Sequence, residues 1–96
     1  MQTEHESKCR PEYFARIGTG QKTFEIRRND RDYQVGDILL LKEHDPDKGW
    51  PDHGAYDTIR AEITYITSYE QKEGFVVMGI KVLTEPEPID EDEIPY

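Results

Sequence analysis

The sequence predicts a small α+β domain, a β-barrel of about five to six strands with one or two short helices. Three observations point there. At 96 residues the chain can build one core and no more. Its apolar residues fall in short strand-length runs bounded by turn chemistry, and helical spacing occurs in one place. The resulting order of strand, helix, strand, strand, long loop, strand, strand leaves sheet edges that closure would remove.

Glu6 to Cys9 is the first strand. Pro11–Ile17 reads as a short helix, because proline suits the first turn and Glu12 complements the N-terminal dipole. Tyr13, Phe14 and Ile17 carry its helical spacing, Tyr13 is assigned to the core, and Gly18 or Gly20 ends it. Lys22–Arg28 is the second strand. Strand alternation places Phe24 and Ile26 toward the core, with Glu25 and Arg27 together on the opposite face. A polar turn, Asn29 to Asp32, comes next, with Asp30 as its capping residue.

Ile38–Leu41 is four apolar residues long and is expected to be buried on both sides. His44 to Asp57, rich in Asp, Pro and Gly, is a long loop. Thr58–Ile66 alternates clearly, with Ile59, Ala61, Ile63 and Tyr65 on one face. Phe75–Leu83 is apolar at both parities and is expected to be central, with Gly79 permitting a bulge or a close backbone approach. The folded domain is therefore placed at 1–83. Residues 84–96 hold six acids and no bases, and are expected to form a disordered tail.

Charge narrows the function. The net charge is −9, yet outside the tail 15 acids face 12 bases. Such a body lacks the broad basic surface that non-specific duplex binding requires, while a local basic cleft for a base, a nucleotide or a short strand stays open. No run is long enough to span a bilayer, and the polar start lacks a secretory signal. Cys9 is the sole cysteine, so a cytoplasmic location is expected and Cys9 is read as a packed strand residue.

The chemistry concentrates in residues 20–31. Lys22, Glu25, Arg27, Arg28 and Arg31 fall within ten positions, and Glu25 and Arg27 lie about 6.6 Å apart along a strand. That reach lets both touch one small polar ligand. The alternative is a pair of strand charges that neutralise each other. Lys22 can donate to a carbonyl or phosphate or act as a base, Arg27 offers a planar fork, and Glu25 can accept from an exocyclic amine or orient a water. Stacking aromatics are available from Tyr13, Tyr33, Trp50 or Tyr56. His44, Asp45, Asp47, Asp52 and His53 have no metal-ligand spacing and read as solvated loop residues. No phosphate-loop, Ser-His-Asp or Cys-His pattern is present, so no metal or cofactor is expected.

Gly20-x-Lys22-x-x-Glu25-x-Arg27 resembles the G-x-K-x-x-E-x-R signature of the ASCH domain (activating signal cointegrator homology) in the PUA-like superfamily. Pro11-Glu12-Tyr13-Phe14 precedes it by a helix's length, and Tyr33-Gln34-Val35-Gly36-Asp37-Ile38-Leu39 resembles the segment that opens the next barrel strand. The resemblance covers residues 5–83 and points to short bacterial and phage ASCH-like proteins. It implies a PUA-like β-barrel with a cleft beside the signature strand that binds RNA or nucleotides, with Lys22, Glu25 and Arg27 at the cleft; Arg28, Arg31 and Trp50 are added as ligand candidates by their own chemistry and position. One branch hydrolyses acetylated cytidine nucleosides, which would make Lys22 the proton-transfer or substrate-orienting residue; a hydrolase of modified nucleosides built on this chain would use Lys22 and Glu25 for proton transfer. That branch carries threonine where this chain has Glu25, so its catalytic set is not carried over. A third reading is a phage accessory protein whose acidic tail engages a basic protein.

Overall fold

The computed structural model describes residues 2–51 and 58–83. Five strands and one helix run in the expected order: β1 (Glu4–Cys9), α1 (Pro11–Gly18), β2 (Phe24–Arg28), β3 (Ile38–Glu43), β4 (Thr58–Thr67) and β5 (Phe75–Val82). The strands form one sheet in the order β1-β3-β4-β5-β2. Only β1 and β3 are parallel. The acidic segment 84–96, with its expected disorder, and the positions of His53 and Tyr56 lie outside the described residues.

The helix begins as its sequence dictates, with proline in its first turn and Glu12 at the positive end of the dipole. Phe14 and Ile17, three residues apart, bury against the sheet, and α1 packs on β3. Tyr13 is corrected: it is 42% exposed, because the stripe that Phe14 and Ile17 define turns it away from the core. Ile17, Leu39, Leu41, Ile63 and Met78 are fully buried, each contributing roughly 1.5–3 kcal/mol. In β3, Ile38, Leu39 and Leu41 are buried and Leu40 is half-buried, as expected for a strand flanked on both sides. β5 is also internal, between β4 and β2.

Two alternations change parity. In β4 the inward series Ala61, Ile63 does not continue to Tyr65, which is 65% exposed; Ile66 packs on the core instead. The register with β5 slips between Ile63 and Tyr65, and one extra residue reverses every side chain beyond it. Gly79 accommodates the irregularity, since a Cβ there would lie 3.2 Å from Thr64 Oγ1.

In β2 the expected facing is inverted. Phe24 and Ile26 are 40% and 52% exposed, whereas Glu25 is buried. Register explains this: Glu25 and Arg27 pair with Met78 and Val76, which face the interior, and residues directly opposite share a face. The charged pair therefore lines the inside of the curled sheet.

The sheet curls into a half-barrel whose edge strands, β1 and β2, meet across a seam. Arginines bridge it: Arg27 Nη2 donates to the Lys8 carbonyl at 2.9 Å, and Arg31 Nη1 donates to the Glu6 carbonyl. Edge carbonyls of β1 thus find guanidinium donors in place of a neighbouring strand. No helix among the described residues is long and apolar enough to cross a membrane.

Candidate functional site

The seam opens into a cleft of about 480 Å³, bounded by Cys9, Arg10, Tyr13, Lys22, Phe24 and Glu25, with Lys8, Ile26 and Arg27 completing it. That volume lies in the roughly 300–1,000 Å³ range of small-ligand sites. Three elements build it. The end of β1 supplies Lys8 and Cys9, the first turn of α1 supplies Tyr13, and the run into β2 supplies the signature residues. Gly20, at φ +85°, turns the chain after the helix, and Lys22 N then bonds the Arg16 carbonyl at 3.0 Å.

Glu25 is the centre of the polar floor. Its Oε1 accepts from Lys22 Nζ at 2.8 Å, and its Oε2 accepts from Arg27 Nε at 3.1 Å and Nη2 at 2.8 Å. Lys22 Nζ also donates to the Phe24 carbonyl at 2.7 Å. Counting donors, an ammonium has three and a guanidinium five. One Lys22 N–H and the Nη1 group of Arg27 remain without a partner among the described residues. Their side chains are 15% and 22% exposed, so both reach the cleft from a partly dry setting.

Aromatic rings wall the same floor. Lys22 Nζ lies 5.0 Å from the Tyr13 ring centroid and 4.7 Å from that of Phe24, both within cation–π range. Cys9 opens onto the cleft as a neutral thiol: burial, then the Glu25 charge, push it up to about 11, against the opposing pull of Arg27 and Lys22. At neutral pH it is no nucleophile.

A second cleft of about 510 Å³ adjoins the first and shares Lys8 and Arg27 with it. Arg31, Lys42, Glu6 and Trp50 line it, together with Ser7. Trp50 is 44% exposed, with its ring edge-on to His44 at 4.5 Å and Lys8 Nζ 5.8 Å from its centroid.

Of the residues singled out in the sequence, Lys22, Glu25 and Arg27 converge directly, and Arg31 and Trp50 stand in the adjoining cleft. Arg28 is not among them; it lies on the outer face, 5.0 Å from the Phe75 ring. Tyr33 is buried against the His5 ring, 4.8 Å between centroids, and is not available for stacking on a ligand. The turn cap is Asn29, whose Oδ1 accepts from Tyr33 N at 3.0 Å, and not Asp30. Asp45 spends its carboxylate on the backbone N–H groups of Asp47 and Lys48, which hold it below the usual carboxylate range. Among the described residues no group of three or more metal-ligating side chains forms.

Sequence reasoning missed three contributors: Lys8, Arg10 and Lys42. Their signal was present as bases on β1, β3 and the β1–α1 link, but only strand pairing shows that they border the signature strand. It also missed the buried pair of His5 Nε2 and Asp37 Oδ2, 2.9 Å apart, with the His5 ring edge-on to Tyr33.

A 39-residue stretch of the chain is 44% identical to the "Uncharacterized 12.9 kDa protein in GpA 3'region" of Escherichia phage P2. That match covers 41% of this chain and 36% of the phage protein, so the chain matches about a third of its relative's length. A broader match, over residues 4–80, is to the family described as "Domain of unknown function (DUF3850)". It starts at the first residue of β1, reaches into β5 and includes both clefts, and the chain belongs to the DUF3850 family.

Proposed function

We propose that the chain is an ASCH-like domain of the PUA-like superfamily that binds RNA, or a nucleotide-like ligand, in the seam cleft. The observation that carries this reading is the Lys22–Glu25–Arg27 floor set between the Tyr13 and Phe24 rings. Aromatic faces offer a flat heteroaromatic ring a stacking surface, and N–H donors beside them read the polar edge of such a ring. Glu25 acts by holding the two cations in register, since both its oxygens are already engaged.

Binding is favoured over hydrolysis. Lys22 serves as a donor to two acceptors, and a general base would have to present a lone pair instead. Cys9, the one thiol at the cleft, is held protonated. The test is equilibrium binding of RNA oligomers, nucleosides and nucleotides at low salt. Saturable binding is expected, falling at least about tenfold in Lys22→Ala and Arg27→Ala, each of which loses a charge-assisted hydrogen bond. The absence of saturable binding across that set would discard the reading.

A further inference from the structure

Resting on that reading, we infer that the ligand is a single strand of RNA rather than a free nucleoside, with one base in the seam cleft and the phosphodiester and next nucleotide in the adjoining cleft. The second cleft is a basic concavity in an acidic protein. Together the two clefts gather six of the chain's 12 lysines and arginines, against the carboxylates of Glu6 and Glu25, while the chain's net charge is −9. Diffuse solubilising charge would not be distributed this way.

The cations converge on the second cleft from several elements. Lys8 and Lys42 are direct partners in the β1–β3 register, so two basic side chains leave the sheet on one face. Like charges so placed repel. Arg27 and Arg31 approach the same concavity from β2 and the turn after it. Glu25 Oε2 lies 2.8 Å from Arg27 Nη2, and Glu6 Oε2 lies 3.5 Å from Lys42 Nζ. With the Glu6 side chain 67% exposed, its pairing with Lys42 contributes little. Such violations of local preference are characteristic of binding sites.

The geometry also orders the ligand. Lys8 and Arg27 belong to both clefts, so a phosphate held between them joins a base on the Lys22–Glu25 floor to the next nucleotide. That nucleotide meets Trp50, a partly exposed indole that lines the second cleft with Lys8 Nζ 5.8 Å from its ring. A cation ridge with a stacking aromatic beyond it matches the backbone-then-base repeat of a single strand. A free nucleoside would leave the second cleft unused.

The experiment measures binding of a nucleoside, its 5′-monophosphate and a mixed-sequence RNA tetranucleotide to the full chain, across a salt series. The tetranucleotide is expected to bind at least tenfold more tightly than the monophosphate. Trp50→Ala is expected to weaken the tetranucleotide alone, by about fivefold or more. Lys42→Gln should lower the salt slope by about 0.7, the value for one phosphate contact on a single strand, and leave nucleoside binding unchanged. Circular dichroism checks that both variants fold. Equal affinity for monophosphate and tetranucleotide, or indifference of the tetranucleotide to both variants, overturns the strand proposal and leaves the seam-cleft reading standing. Failure of all three probes to bind overturns both.

Discussion

Glu25 and Asp37 are equally hidden, each 4% exposed, and differ in what holds them. Asp37 accepts from the backbone N–H of Thr3 at 3.3 Å and of Gln34 at 3.1 Å, and it meets His5 Nε2 at 2.9 Å. Burial alone would push its carboxyl up. The His5 ring and the two amides outweigh that and hold it below the usual carboxylate range. Among the described residues Glu25 has no backbone donor. Its partners are the ends of two long side chains, both facing a cleft. Backbone amides cannot leave without unfolding the turn, so Asp37 pins the chain entering β3 to the start of β1. Lysine and arginine can turn partly toward an incoming ligand. One carboxylate is a staple; the other is a mount.

That contrast breaks first on stability. Glu25→Ala leaves Lys22 and Arg27 side by side without their counter-charge, and removing one partner of a buried ionic group costs about 3–5 kcal/mol. The low end, about 3 kcal/mol, is expected, because both cations keep some contact with water. Urea denaturation measures it. Inorganic phosphate should restore part of the loss if the cations can accept another anion. No restoration would mean that the triad is only an internal ion pair.

Asp37→Asn keeps shape and loses charge, weakening three charge-assisted bonds for a cost of about 2 kcal/mol. Its pH signature is specific. A carboxyl that titrates lower when folded than when unfolded stabilises fully above the unfolded value of about 4, and that contribution disappears as pH falls through the folded value. The gap between wild type and Asp37→Asn should therefore narrow below pH about 4 in denaturation midpoints. Phosphate should not rescue this variant, and ligand affinity should be unchanged.

Gly36 is a smaller lever on the same staple. It holds φ +99° just before Asp37, in a conformation that L side chains rarely adopt, with nothing within 4 Å of an added Cβ. Gly36→Ala thus tests backbone strain without steric collision, and about 1–2 kcal/mol is expected from thermal or chemical unfolding. A neutral result would show that the turn relaxes without disturbing Asp37.

The two carboxylates also differ in how far the sequence announces them. Element order, the helix at Pro11 and the buried β3 run derive from proline, glycine and apolar spacing, which act locally. Glu25 was visible as chemistry, because its spacing to Lys22 and Arg27 is local too. Its facing was not visible: Phe24 and Ile26 are the apolar residues, and the polar floor of the half-barrel takes the other parity only through pairing with β5. Tyr65 misleads for a related reason, since one extra residue near Thr64 leaves no mark on the pattern before it. His5 and Asp37 lie 32 positions apart, and no periodicity joins them. Local spacing reveals residue types and reach, whereas strand register decides which of them meet.

Cys9 gives the finest test, because its ionisation has almost no effect on stability at neutral pH. Its folded thiol titrates near 11, so below the unfolded value of about 8.5 the thiol is neutral in both states, and stability falls only as pH rises from there toward 11. At pH 8 on the order of one thiol in a thousand is ionised, and iodoacetamide should react correspondingly slowly. The neighbouring charges make that rate a gauge of the triad. The Glu25 charge pushes the thiol up, and Lys22 pulls it down. Glu25→Gln should therefore speed alkylation, by on the order of tenfold for each unit the thiol falls. Lys22→Met should slow it. Asp37→Asn should leave it unchanged, since the charges that act on the thiol are those of Glu25, Arg27, Lys22 and Glu43. Opposite signs in the first two variants distinguish electrostatics from loosening, since local unfolding would speed both.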